Sequence, residues 1–163
     1  MNHFILDEDM EKSAEYHVDK HVIKMGIEAT QMCSTALALE FGAAVGYTPV
    51  FVNHPIVVWT SKTYENWEWM VRYARSMFNE YQYRYGREHA SVVVLDGLVN
   101  WVNQDVRVKK WKFGMTPHHL AVALEHKGLD PVSAYRAYYI KYKARLFKWT
   151  NREVPYWIPK EML

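Results

Sequence analysis

MEKSAEYHVDKHVIKMGIEATQMCSTALALEF, residues 10–41, decides the fold. Apolar residues recur there at three- and four-residue spacing, which is the signature of a helix. Gly26 is the only weak point, and Gly42 is a natural stop. The acidic cluster Asp7, Glu8 and Asp9 precedes it, and carboxylates favour the positive N-terminal end of a helix. The stretch therefore predicts one long helix. His17, Lys20, His21, Lys24, Glu28 and Gln31 fall within about 100° of arc on it. Most other positions from Val18 to Met32 are apolar, with Asp19 the main polar exception. A helix apolar over most of its circumference is central to its fold, so the polar stripe is expected to line a cleft.

Outward from this helix, residues 1–6 read as a short strand or extended arm. Pro49 and Pro55 make residues 46–55 a loop with a short extended segment at Val50, Phe51 and Val52. Ser61 or Thr63 opens a second long helix, in which Trp67, Met70, Tyr73, Ala74, Met77 and Tyr81 recur until Gly86 ends it. Residues 90–102 carry both strand and helix signals, and the spacing of Leu95, Leu98, Val99 and Val102 favours a helix. A short helix is expected over 117–126, closing near Gly128. Asp130 and Pro131 open a last helix running to about Trp149. Pro155 and Pro159 leave an extended tail in which Trp157 packs back on the body. The expected fold is mainly α: a compact single-domain helical bundle over residues 1–163 with a short N-terminal extended arm.

With 163 residues, half of them hydrophobic, the chain can bury a substantial core. No run approaches the roughly 20 apolar residues of a membrane span, and the first residues are acidic where a signal peptide is basic and then apolar. A cytoplasmic protein with no membrane partner is expected. Cys33 is the only cysteine, which excludes an internal disulfide and a cysteine-built zinc site, and its neighbours mark it as core. Charge is distributed unevenly. Residues 1–40 hold three cations against eight acids, whereas residues 107–163 hold twelve cations against four acids. Arg136, Lys141, Lys143, Arg145, Lys148 and Arg152 meet no acid in their run and alternate with Tyr138, Tyr139, Tyr142, Phe147 and Trp149. Basic residues interleaved with aromatics suit a phosphate backbone and stacked bases, and they equally suit a solvated helix face over an aromatic core.

Two imidazoles and two ammonium groups in one row repel each other, and Glu28 opposes them. Such opposed environments tune acids and bases. A lysine of lowered proton affinity can form a Schiff base, a histidine can move protons near neutrality, and Glu28 can stabilise a cationic sugar transition state. His17 and His21 also have the i, i+4 spacing of helical zinc ligands, but two lysines in the row repel a cation, so no metal and no cofactor is expected. Asn53, His54 and Trp59 flank Pro55 at the start of the second long helix, a position where sites are commonly built. Tyr81 and Arg84 form a polar, aromatic end to that helix. Glu80 and Arg84 are an i, i+4 pair of the kind usually found on surfaces. Of the adjacent His118 and His119, no more than one is expected to matter.

Several segments carry a resemblance: His17 to Met25 with Glu28 and Gln31, Asn53-His54-Pro55 with Trp59, Glu80-Tyr81 with Arg84-Tyr85-Gly86, and Tyr135-Arg136 through Trp149, Asn151, Arg152 and Pro155. Over nearly its whole length the chain resembles a family of small bacteriophage proteins without a settled activity. More distantly, it is similar to the pyrimidine-dimer DNA glycosylases, compact helical enzymes with an N-terminal arm and a catalytic glutamate on the first helix. That resemblance implies an N-terminal amine as nucleophile, here on Met1, or on Asn2 if Met1 is removed. α-Amines as a class titrate near 8. His21 or Lys20 stands where the glutamate is expected, and Glu28 lies farther along.

The combined expectation is a DNA glycosylase or lyase acting at the helix stripe, with Met1 among its catalytic groups. DNA is favoured over RNA. Gln31, Asn53, His54, Trp59, Tyr81, Arg84, Arg136, Lys141, Arg145, Lys148 and Arg152 are the candidate binding residues. The alternatives are a non-catalytic nucleic-acid or nucleotide binder, and a small metal-dependent hydrolase using His17, His21 and Glu28.

Overall fold

A computed structural model describes residues 1–163. Six helices and no strand form: α1 (Met10–Tyr16), α2 (Asp19–Phe41), α3 (Pro55–Lys62), α4 (Tyr64–Tyr85), α5 (Val92–Gln104) and α6 (Pro131–Lys143). The mainly α reading holds, and no helix is long and apolar enough to cross a membrane. Most helix starts follow from local chemistry. Asp9 accepts the Lys12 amide at 2.8 Å, Thr63 accepts that of Asn66 at 3.2 Å, and Asp130 accepts that of Ser133 at 3.0 Å ahead of Pro131.

The antiparallel-reading apolar faces of α2 and α4 build the centre: Val22, Met25, Ala29, Met32 and Leu37 on α2, Trp67, Met70, Tyr73, Ala74 and Met77 on α4, all within one buried cluster. Gly26 is not a weak point. A Cβ placed there would meet the Phe78 ring at 2.4 Å, so its missing side chain lets α4 approach.

The single helix expected over 10–41 is two. His17 and Val18 are extended, with ψ of 139° and 154°. The Asp19 amide donates to the Lys148 carbonyl at 2.9 Å, so a distant segment takes the place of a helical acceptor. Asp19, expected as an odd polar residue on an apolar face, anchors a buried ionic network. Its carboxylate accepts from Arg84 Nη1 at 3.0 Å and from the Thr150 amide and hydroxyl at 2.8 and 2.7 Å. Arg84 also bonds Glu80 at 2.6 Å, and Arg152 closes on Glu80 at 2.8 Å. The Glu80–Arg84 pair, of a type that usually lies on surfaces, is buried and ties the C-terminal tail to the start of α2.

Three further expectations change. α3 fills the stretch between the loop expected to end at Pro55 and the second long helix expected from Ser61 or Thr63, to which no element was assigned; His54 Nδ1 caps it by accepting the Ile56 amide at 3.2 Å, with Pro55 at its first position. Residues 117–123 form no helix, with only a 3-10 turn at Leu124–His126. Side chains take up that segment's backbone: Trp59 Nε1 donates to the Pro117 carbonyl at 2.8 Å, and Asn2 Nδ2 to the Ala121 carbonyl at 3.1 Å. α6 ends at Lys143 rather than near Trp149, because the chain turns so that Lys148 reaches Asp19 and Trp149 Nε1 donates to the Tyr16 carbonyl at 2.9 Å.

The arm forms neither helix nor strand and runs through the interior: Asn2, His3, Phe4, Ile5 and Leu6 are all buried. Burying Phe4, Ile5 and Leu6 contributes about 1.5–3 kcal/mol each. Arg136 clamps the arm's far end, donating to the Leu6 carbonyl at 2.7 Å and to Asp7 at 2.8 Å. The near end brings Met1 to α2.

Candidate active site

The Met1 amine lies 3.8 Å from Glu28 Oε2, and Lys24 Nζ lies 2.8 Å from Glu28 Oε1. They share a cleft of about 180 Å³ with His21, Phe4, Tyr138 and Lys143. Glu28 is reached from the arm because α2 carries it on the stripe face and the buried arm leaves residue 1 as the next group in line. His54 is half-buried at the head of α3. Burial lowers its proton affinity most, the Met1 amine and His119 lower it further, and Glu28 raises it. The arm's first residue and the α2 stripe thus converge.

Lys143 is the residue sequence reading missed. Its ammonium sits over the Phe4 and Tyr138 rings, at 5.7 and 5.4 Å. Burial pushes its pKa down, Lys24 and Arg145 push in the same direction, and Glu28 opposes them. Nothing in the run of cations from Arg136 to Arg152 distinguished Lys143 from Lys141, because its position depends on where α6 ends.

His17 and His21 do not move protons near neutrality. Burial lowers His17 to about 3 and His21 to about 2, with Arg84 adding to the first and His17, Lys143 and Lys24 to the second. Hydrogen bonding assigns opposite tautomers to the two rings. His17 Nδ1 faces the Ser13 carbonyl at 2.7 Å and must carry the proton, so Nε2 accepts from the Tyr73 hydroxyl at 3.1 Å. His21 Nδ1 meets the Tyr139 hydroxyl, which itself accepts the Val18 amide at 3.4 Å. Only a Tyr139 proton donated to His21 Nδ1 satisfies all three groups, which leaves the proton of His21 on Nε2. His17 is thereby spent on structure, whereas His21 is a neutral ring on the cleft wall with one donor free.

The expected binding residues divide. Trp59, Tyr81 and Arg84 are buried, with Trp59 bonded to Pro117 and Tyr81 to Arg87. Arg136 is paired with Asp7, Lys141 with Glu125 at 2.7 Å, and Arg152 with Glu80. These are structural partners, and neither Arg84 nor Arg136 offers a free charge to a ligand. Arg145, Lys148 and Lys20 are exposed, Asn53 is exposed, and Gln31 is half-buried on the Glu28 face. The metal alternative lacks its ligands: both His17 nitrogens are bonded, and no three His, Cys, Asp or Glu side chains are grouped to hold an ion.

A larger cavity, about 330 Å³, opens beside the arm's far end between Asp7, Glu8, Trp69, His118 and Asp130. Its carboxylates repel phosphate and no amine lines it, so the smaller cleft is the better candidate. No protein-family model, curated protein or solved structure matches this chain.

Proposed function

We propose that the protein is a DNA glycosylase or lyase that forms an imine with a deoxyribose C1′. The observation that carries this reading is the Met1 α-amine held 3.8 Å from Glu28 in a cleft edged by Lys24 and Lys143. A neutral amine attacks C1′, and the C1′–base bond breaks with its electron pair leaving on the base, which takes a proton from solvent. The proton released by the attacking amine passes to Glu28. Glu28 then returns that proton to O4′ as the C1′–O4′ bond breaks and C1′=N forms, giving the protonated imine; its carboxylate takes the acidified C2′ proton, and the C3′–O bond breaks with its electron pair leaving on the 3′ phosphate. Exposed Lys20, Arg145 and Lys148 supply the phosphate contacts. His21 Nε2–H offers a fixed neutral donor to a sugar or phosphate oxygen.

The test is borohydride reduction during incubation with duplex DNA carrying an abasic site or a pyrimidine dimer. A covalent protein–DNA band is expected, falling about 10²-fold or more in Glu28→Gln. No band on either substrate refutes the reading.

A further inference from the structure

Tyr139 of α6 is fully buried, and its hydroxyl reaches the break between α1 and α2. The Val18 amide has no helical acceptor there, because α1 ends at Tyr16 and α2 begins at Asp19, and it donates to the Tyr139 hydroxyl at 3.4 Å. The same hydroxyl meets His21 Nδ1. Burial pushes the Tyr139 pKa up, so the hydroxyl keeps its proton. With the Val18 N–H already directed at the oxygen, that proton is the one available to Nδ1. The helix break thus has a chemical consequence: it fixes the tautomer of a ring in the cleft wall.

The ring is also fixed in place. His21 is stacked on Phe4 at 4.8 Å, 9° from parallel, and meets the Tyr139 ring edge-on at 5.2 Å. Tyr139 is itself boxed by Phe4 at 5.3 Å, His17 at 6.1 Å and Trp157 at 6.2 Å. Phe4 therefore sets the plane of the imidazole, and the Tyr139 hydroxyl sets which nitrogen is left over. That nitrogen, Nε2, has no protein partner and is not buried. Glu28 is the one carboxylate lining the cleft, and it faces the Met1 amine and Lys24, with Lys143 also in the lining. A fourth cation would weaken the hold of Glu28 on the proton it takes from the amine. A neutral donor adds a hydrogen bond without that loss.

Resting on the imine reading above, we propose that Tyr139 is the positioning residue of this site and His21 its catalytic hydrogen-bond donor, with Nε2–H directed at the sugar O4′. O4′ gains electron density as the C1′–O4′ bond breaks, and a donor already in place stabilises it without reorganising. His21 keeps its proton throughout, and the proton that O4′ takes comes from Glu28.

The first measurement needs no chemistry. In protein labelled with 15N-histidine, His21 should show a protonated Nε2 and a hydrogen-bonded, unprotonated Nδ1 from pH 8 to 5. The opposite tautomer overturns the positioning. The second is a double-mutant cycle read by the single-turnover rate of borohydride trapping on abasic duplex. His21→Phe, which keeps a ring against Phe4, should slow trapping about 10²-fold. Tyr139→Phe should slow it about ten-fold in the wild-type background and not at all in the His21→Phe background, with unchanged affinity for a tetrahydrofuran abasic duplex. Equal slowing by Tyr139→Phe in both backgrounds means that it acts through the fold alone, and overturns the proposal. Wild type that traps no DNA yet shows the Nε2–H tautomer removes the imine and the donor's catalytic role while the positioning stands. Trapping with the other tautomer does the reverse.

Discussion

Lowering the pH should unfold this protein well before its carboxylates are protonated, because three histidines are buried in neutral form. Burial holds His3 well below its ordinary value, with His118, His119 and His54 adding to the effect, and brings His17 to about 3 and His21 to about 2. His3 is fully buried and neither of its ring nitrogens finds a protein partner. In an unfolded chain each imidazole titrates near 6.5. A folded pKa below the unfolded one means that the unfolded state binds the extra proton. The stabilisation is fully present above about pH 6.5 and declines as pH falls toward the folded values. Each group then loses about 1.4 kcal/mol per pH unit, or about 2 kcal/mol at pH 5. His17 and His21 together lose about 4 kcal/mol at pH 5 and His3 adds to that loss, which approaches the 5–15 kcal/mol stability typical of a domain. Urea unfolding followed by far-UV circular dichroism from pH 8 to 4 should show a slope of at least two protons below pH 6. His17→Gln should reduce it by about one. A flat stability between pH 6.5 and 4.5, or a native His17 or His21 titrating near 6.5 by NMR, refutes the reasoning.

Three other substitutions probe the framework. Arg84→Ala leaves Asp19 without its cation and Glu80 with Arg152 alone, and should cost about 3–5 kcal/mol in denaturant unfolding. Gly26→Ala sets a methyl against the Phe78 ring and should cost about 1–3 kcal/mol, partly restored by Phe78→Leu. Phe51→Gly should leave stability unchanged or raise it by up to about 1 kcal/mol, since relief of the left-handed strain outweighs the entropy of glycine; a clear loss would mean that Phe51 packs on the body.

The helices were legible where local chemistry decides them. Periodicity and the glycine stop gave α4, and the spacing of Leu95 and Leu98 outweighed the valine run that favoured a strand. Long-range replacement of hydrogen bonds was not legible. The break at His17 and Val18 depends on Lys148, and the irregular path of residues 117–123 depends on Trp59 and Asn2. The stripe was visible as a pattern, but its members separate by what they touch: His17 faces inward to Ser13 and Tyr73, while Glu28 faces the arm. Glu28 lies farther along the helix than the resemblance implied, and the buried arm brings the Met1 amine to 3.8 Å from it. Basic residues could not be sorted by sequence, since Arg136, Lys141 and Arg152 find acids distant in the chain.

The central claim is tested most directly by mapping the reduced adduct. Protein trapped with borohydride on abasic DNA, digested and analysed by mass spectrometry, should carry the sugar remnant on the α-amine of Met1, and a Gly-Ser extension ahead of Met1 should abolish it. An adduct on Lys143 or another lysine, or trapping undiminished by the extension, contradicts the account.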